Sequence, residues 1–394
     1  MQRFSCTLTL SALAALGVFA CADTGTGPAS ADASAGGVDA SAVKFWEAGA
    51  TVAWNLRATE LAATTPVDVG RMYAYLSLAQ LRAAEAAEAA PAPHPPTGGA
   101  IGGASAVVLT AFFPAAAAQI EAALDAQEAA ARWPGVKHQD FGDGEAIGRA
   151  AAARVMAYAA GDLTGLTNPG AAPVGPQYWS ANGGPTARGG LGARPFFLSS
   201  GDEFRPGPPP ALGSPEFVTA LQEVRRIADT RTAEHAAIAN FWNVNQSPRS
   251  DAAMMEIARE LIVSHRRRDV EAARIMFLAS AAAFDAIAGC FDAKYHYWLL
   301  RPAQADPGIV TLFPTPPHPS YPSAHSCVSG AMTEVIASAF PSERGRLEAV
   351  ADEASLSRLY AGIHYRFDMV AGLALGRAVA AKALAADLDA VAVR

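Results

Sequence analysis

Three short stretches near the C-terminus hold residue types that could do chemistry together. The first runs Lys294-Tyr-His-Tyr-Trp-Leu-Leu-Arg301-Pro302. Lys294 and Arg301 stand seven apart, about two helical turns, so both project from one helix face. Pro302 cannot continue that helix, which places Arg301 at or near its end. Two cations facing one way suit an anion. Arg grips two oxygens with a planar fork, and Lys adds a point charge. The competing reading is a solvated basic face.

The second stretch is Pro316-Pro-His318-Pro-Ser-Tyr-Pro322-Ser323-Ala324-His325-Ser326. Four prolines in seven residues make a rigid loop. Ser323 is placed to cap a following helix. A helix start offers free N–H groups, so the Ser323 hydroxyl and the Ala324 N–H could cradle an oxyanion. His325 would stand beside that anion and exchange protons near neutral pH. The competing reading is a capping serine with a structural histidine.

The third is Ser357-Arg358-Leu-Tyr-Ala-Gly362-Ile-His364-Tyr-Arg-Phe-Asp368. Gly362 marks a bend before a helix. On that helix His364 and Asp368 are i and i+4, hence neighbours. The carboxylate could hold one ring nitrogen and leave the other as nucleophile or ligand. Arg358 supplies another guanidinium. An ordinary surface pair is the plainer alternative.

The elements that must position these groups read as helices. Ala, Leu, Glu and Arg dominate and period-2 alternation is scarce. Helical spacing appears over 40–65, 67–90, 104–130, 145–160, 216–240, 251–265, 269–300, 325–340, 345–361 and 364–386. Thr97 to Ile120 has no charge, yet Pro114 and four glycines interrupt it, so a buried bundle helix fits better than a membrane span. Gly161 to Pro215 is too rich in Gly and Pro for helix. It divides an N-terminal helical half (41–160) from a C-terminal helical half (216–394). Arg71 to Ala84 faintly resembles Arg274 to Ile287, a hint of two related bundles. The expected class is all-α, two packed helical bundles with a long Gly/Pro-rich connection at 161–215.

The chain has 394 residues, 51% of them hydrophobic, which excludes a mainly disordered protein. Its formal net charge is −7, so no global basic field holds nucleic acid and any anion site is local. Thr7 to Ala20 is an uncharged, mostly apolar run after Arg3, too short to span a bilayer. It reads as an export signal (1–21) followed by a small, polar tether (22–40). Val18-Phe-Ala-Cys21 resembles a lipoprotein cleavage box, with cleavage after Ala20 as the alternative. Expected locations are the periplasm, the outer membrane through a lipid on Cys21, or the medium. Four cysteines exclude a disulfide scaffold. Cys290 and Cys327 could pair or remain buried thiols.

Taken in order, Lys-x6-Arg-Pro, Pro-Ser-x-His and Ser-Arg-x5-His-x3-Asp resemble the type 2 phosphatidic acid phosphatase and vanadium haloperoxidase superfamily. The resemblance extends over about residues 45–390. It implies that Lys294, Arg301 and Arg358 grip the oxygens of vanadate or phosphate, helped by Ser323 and the Ala324 N–H. It implies that His364 is the vanadium ligand or the phosphate-accepting nucleophile, that Asp368 orients it, and that His325 is the acid–base residue. Lys294 would also polarise bound peroxide. Ala324 departs from the usual Gly of the family but keeps its N–H. The wording Gly362-Ile-His-Tyr-Arg-Phe-Asp368, and Phe204-Arg-Pro-Gly-Pro-Pro-Pro210 before a helix and Phe241-Trp242, resembles the haloperoxidase branch. There the position of His318 is Phe in chloroperoxidase-like members and His in bromoperoxidase-like ones, so His318 would line a halide pocket and favour bromide or iodide. Leu299-Leu300 stands where an aromatic is expected. The carboxylate expected to support His325 is not identifiable, Asn243 being the nearest candidate. The implied activity is oxidation of halide by hydrogen peroxide at histidine-bound vanadate. The alternatives are an exported acid phosphatase acting on phosphate monoesters without a cofactor, and a non-catalytic protein that keeps the fold.

Overall fold

A computed structural model describes residues 49–92, 94–131, 141–162, 169–181, 189–243 and 248–391. The expected export signal, the tether and Cys21 lie outside the described residues. Those described form thirteen α-helices: α1 (Ala50–Ala62), α2 (Val69–Ala89), α3 (Thr97–Phe112), α4 (Ala117–Ala131), α5 (Phe141–Ala159), α6 (Pro215–Asp229), α7 (Ala233–Phe241), α8 (Pro248–Ser264), α9 (Asp269–Tyr297), α10 (Pro302–Ala305), α11 (Ala324–Ala339), α12 (Arg344–Tyr360) and α13 (Arg366–Ala385). An isolated bridge between Tyr178 and Leu299 is the sole β pairing among them.

The architecture is all-α, two packed bundles around one long helix. The 29-residue α9 packs α2 of the N-terminal bundle on one side and α11 and α13 of the C-terminal bundle on the other. The two segments with faint internal likeness lie on α2 and α9, which face each other. A continuous core crosses both bundles, from Trp54 and Leu76 through Phe277 to Val379. Among the described residues α9 is the one helix long and apolar enough to cross a bilayer, and 89% of that window is buried inside the protein. Its apolar character serves the core.

Local chemistry explains the breaks. The expected helix 104–130 begins earlier and splits, because Pro114 opens a 3-10 turn after Phe113. The expected helix 216–240 splits into α6 and α7, each started by a side-chain cap: Ser214 accepts from the Phe217 N–H and Thr232 from the His235 N–H. The described parts of the Gly/Pro connection are not helical. They are tied to α9 instead. Buried Asp285 accepts the N–H groups of Phe196, Phe197 and Leu198 at 2.7, 2.7 and 3.1 Å, and Arg205 pairs with Asp292 at 2.7 Å.

Close approach of α11 and α13 brings the second and third sequence stretches together. It depends on Gly372, where an added Cβ would lie 2.7 Å from the Ser323 carbonyl oxygen. Cys290 and Cys327 are free, buried thiols on α9 and α11, with sulfurs 2.7 Å apart.

Candidate active site

The first stretch is built differently from a single helix face. Helix α9 ends at Tyr297, where Trp298 takes a left-handed backbone with φ 53°. The backbone then leaves the helix to pair with the Gly/Pro connection: Trp179 N–H donates to Trp298 O at 2.6 Å and Leu300 N–H to Gln177 O at 3.1 Å. Arg301 is thus not on the face of Lys294. It is the N-cap residue of the short helix α10. Pairing with residues far away in sequence overrides the helical pattern, and the two cations meet by a turn of the chain.

Lys294 is fully buried. Its ammonium donates to the carbonyls of Pro319, Ser320 and Pro322 at 2.9, 2.9 and 2.5 Å. Those three bonds use all three of its protons. The direct grip on an oxyanion expected of Lys294 is therefore absent from this arrangement. Lys294 holds the proline loop and acts on the site through its charge. Burial pushes its pKa down to about 8.

Arg301 sits at the centre. Its Nε donates to His318 O at 3.0 Å, Nη1 to Ile363 O at 2.8 Å and to His364 Nε2 at 2.8 Å, and Nη2 to His318 Nδ1 at 3.0 Å. Arginine only donates, so His364 Nε2 is an acceptor. His318 Nδ1 also lies 3.2 Å from the Pro319 carbonyl, an acceptor, so its two contacts call for opposite tautomers. His364 carries its proton on Nδ1, which faces Asp368 Oδ2 at 2.8 Å. The expected His364–Asp368 contact is present, but not as an i, i+4 pair within a helix. His364 precedes α13, Tyr365 is its N-cap, and Asp368 reaches back to the Tyr365 N–H at 3.1 Å. A helix start holds the pair, because the cap needs an acceptor there. Gly362 makes the expected bend with φ 79°.

Ser323 caps α11 as expected, accepting the Ser326 N–H at 3.5 Å. It keeps its own O–H to donate. Ala324 opens the helix, leaving its N–H among those without an intrahelical partner. Arg358, at the end of α12, donates to Ser357 Oγ at 2.9 Å and to Ala239 O at 3.0 Å. His325 Nε2 meets the Trp242 carbonyl at 2.8 Å. A carbonyl only accepts, so His325 keeps a free lone pair on Nδ1. Its support is thus a backbone oxygen at the end of α7, not a carboxylate and not Asn243. Trp242 is itself held by Glu353, through Nε1 to Oε1 at 3.0 Å.

Charge dominates this cluster. Lys294, Arg301 and Arg358 are 0%, 1% and 3% exposed. The one carboxylate among them, Asp368, is bonded to His364. Like charges crowd in a dry place: burial pushes Arg358 down to about 9, with Arg301 adding to the effect, and Arg301 to about 10. Burial, then neighbouring cations, hold His318, His325 and His364 well below the usual histidine range. Burial pushes Asp368 up to about 6. An oxyanion is the group that relieves a buried positive excess. The donor set suits a tetrahedral one: the Arg358 fork, the one N–H that Arg301 leaves unspent, a serine hydroxyl and a helix start, with His364 Nε2 open to a ligand once Arg301 Nη1 turns from it to the anion. The buried Ser326 hydroxyl, one position past His325, also lacks a partner. Vanadate, an oxyanion that one histidine nitrogen can hold, is compatible with this set of donors. His318, Ala324 and His325 are half-buried, more exposed than Lys294, Arg301, Ser323, Arg358 and His364.

Four contributors had no sequence signal of their own. These are the carbonyls of Ala239 and Trp242, the Tyr365 N–H, and Ser320, whose hydroxyl donates to Asp368 Oδ2 at 2.5 Å. Any residue type supplies a backbone group.

The PAP2 superfamily family model matches residues 274–389, a span that contains every site side chain from Lys294 to Asp368. Curated proteins give no match. Among solved structures, a bacterial vanadium-dependent iodoperoxidase is 24% identical, with 86% of this chain and 96% of that one covered at a TM-score of 0.69. A bacterial vanadium-dependent chloroperoxidase is similar at 15% identity in its apo form, covering 81% of this chain and 94% of that one at a TM-score of 0.63. Its holo form gives 15% identity, 82% and 92% coverage and a TM-score of 0.62. Residues 274–389 thus match the PAP2 superfamily model, and over 86% of its length the chain shares the all-helical fold of a vanadium-dependent haloperoxidase.

Proposed function

We propose that the chain is an exported haloperoxidase-like enzyme that oxidises bromide or iodide with hydrogen peroxide at a vanadate held by His364. The observation that carries this reading is the set of three buried cations gathered around a neutral His364 whose Nδ1–H is held by Asp368. Vanadate, when bound, would supply the electron-poor centre that activates peroxide toward halide.

The residues have separable tasks. Asp368 fixes the Nδ1–H of His364 and leaves Nε2 as the ligand atom. Arg358 donates its free guanidinium N–H groups to the oxygens, and Arg301 joins it by turning Nη1 from His364 Nε2 to the anion. Ser323 and the Ala324 N–H donate from the start of α11. Lys294 adds positive charge from behind the proline loop. Neutral His325 takes a proton from peroxide at Nδ1 and returns one to the leaving oxygen. The His318 ring, held by Arg301 Nη2 at 3.0 Å, would line the halide pocket.

The test uses the purified mature chain with orthovanadate, bromide, peroxide and a phenolic dye. Bromination that disappears in His364→Ala supports the reading. Hydrolysis of p-nitrophenyl phosphate without vanadate, inhibited by vanadate and unaccompanied by bromination, would assign the same cluster to phosphate monoesters through a phosphohistidine at His364. Loss of both activities in the native chain would leave a non-catalytic fold.

A further inference from the structure

Ser320 is fully buried and spends all three of its polar groups on site-bearing segments. Its N–H donates to Leu299 O at 2.9 Å, next to the turn that carries Arg301. Its carbonyl accepts from Lys294 Nζ at 2.9 Å. Its hydroxyl donates to Asp368 Oδ2 at 2.5 Å. One residue thus touches the buried ammonium through its backbone and the buried carboxylate through its side chain.

The carboxylate needs this hold. Asp368 Oδ2 collects His364 Nδ1–H, the Tyr365 N–H and the Ser320 hydroxyl. Oδ1 is buried without a partner. The carboxylate torsion is soft, with two broad wells, so donors at Oδ2 alone decide which oxygen meets His364. The Tyr365 N–H is backbone, and His364 is the group being aimed. The Ser320 hydroxyl is the remaining independent anchor.

We infer that Ser320 is a positioning residue, which fixes the Asp368 carboxylate and through it the aim of His364. This deepens the proposed oxyanion site and rests on it. A serine that merely satisfied a buried acceptor would affect stability alone. A positioning serine also affects what His364 binds.

Two measurements on the full mature chain separate these roles. The first is ligand-free: the 1H and 15N shifts of the His364 Nδ1–H, which report its hydrogen bond to Asp368. The native chain shows one fixed Nδ1–H signal, and Ser320→Ala moves it. Unchanged shifts in Ser320→Ala overturn the inference, whether or not any anion binds. The second is titration with orthovanadate and with inorganic phosphate. Ser320→Ala binds both 10–100-fold more weakly, the usual effect of losing a group behind a ligand residue. Ser280→Ala, which removes a different buried hydroxyl, on α9 and bonded at 2.7 Å to Met276 O, keeps native affinity. Affinity of Ser320→Ala within twofold of native overturns the inference. Should Ser320→Ala fail to fold, Ser320→Cys keeps the volume and weakens the donor, and native affinity in that variant overturns it equally. Native chain that binds neither anion sinks the enzyme reading, while the ring shifts still decide the role of Ser320.

Discussion

Asp368 Oδ2 lies 2.8 Å from Nδ1 of His364, and the carboxylate belongs to the first turn of the helix that the histidine precedes. The start of α13 therefore sets the tautomer of a buried imidazole. Asp368→Asn keeps the shape and removes the charge. Vanadate affinity should fall 10–100-fold, while unfolding free energy in denaturant changes by only about 1–2 kcal/mol. Equal affinity in the two proteins would separate Asp368 from ligand binding.

The pH dependence follows from two shifted groups. Asp368, pushed up to about 6, is neutral below that pH and holds the neutral His364 ring less firmly. Lys294, pushed down to about 8, loses its charge above that pH. Anion affinity should rise as pH increases through about 6 and decline beyond about 8. Stability moves in the opposite sense. Between the ordinary carboxyl value of 3.8 and about 6 the folded chain binds more protons at Asp368, so this group's contribution to stability falls as pH rises. Between about 8 and 10.5 the unfolded chain binds more protons at Lys294, so stability gains with pH. Vanadate titrations and thermal midpoints from pH 5 to 9 check both directions.

Arg301→Lys tests the fork. Lysine cannot serve His318 O, Ile363 O and two ring nitrogens together. We expect anion affinity to drop at least tenfold. Stability should fall by about 1–3 kcal/mol, because buried acceptors lose their donors. Chemical denaturation and anion titration read the two effects separately.

A buried positive excess predicts stabilisation by any tetrahedral oxyanion that enters. At a concentration of 100 times Kd the gain is about 2.7 kcal/mol. Orthovanadate and phosphate should raise the thermal midpoint of native protein. Chloride at equal ionic strength should not match them, and Arg358→Ala should abolish the shift.

His318→Phe removes a ring N–H donor and the contact with Arg301 Nη2. Bromide is smaller and more tightly hydrated than iodide, so it depends more on a fixed donor. The ratio of kcat/KM for bromide over iodide should fall about tenfold, equivalent to about 1.4 kcal/mol in transition-state energy. An unchanged ratio would remove His318 from halide selection.

Much of this site was legible before folding, for physical reasons. Charged and titratable residue types in a fixed order announce an oxyanion cluster, and Ser323 and Gly362 announce a cap and a bend that the structure contains. What sequence could not reveal depends on distant partners. The left-handed turn at Trp298 exists because residues 298–300 pair with 177–179, so Lys294 and Arg301 part company where helical spacing joins them. His364 drops out of α13 because Tyr365 takes the cap. The support of His325 is a carbonyl, invisible to residue type. Ser320 differs from its neighbours only in where its hydroxyl points.

Diffraction from crystals soaked in orthovanadate addresses the central claim most directly. The account predicts a single anion bonded to Nε2 of His364, with its oxygens taking the Arg301 and Arg358 guanidinium groups and the Ser323 hydroxyl. Vanadium found elsewhere, or soaked crystals in which Arg301 still caps Nε2 of an unliganded His364, would contradict it.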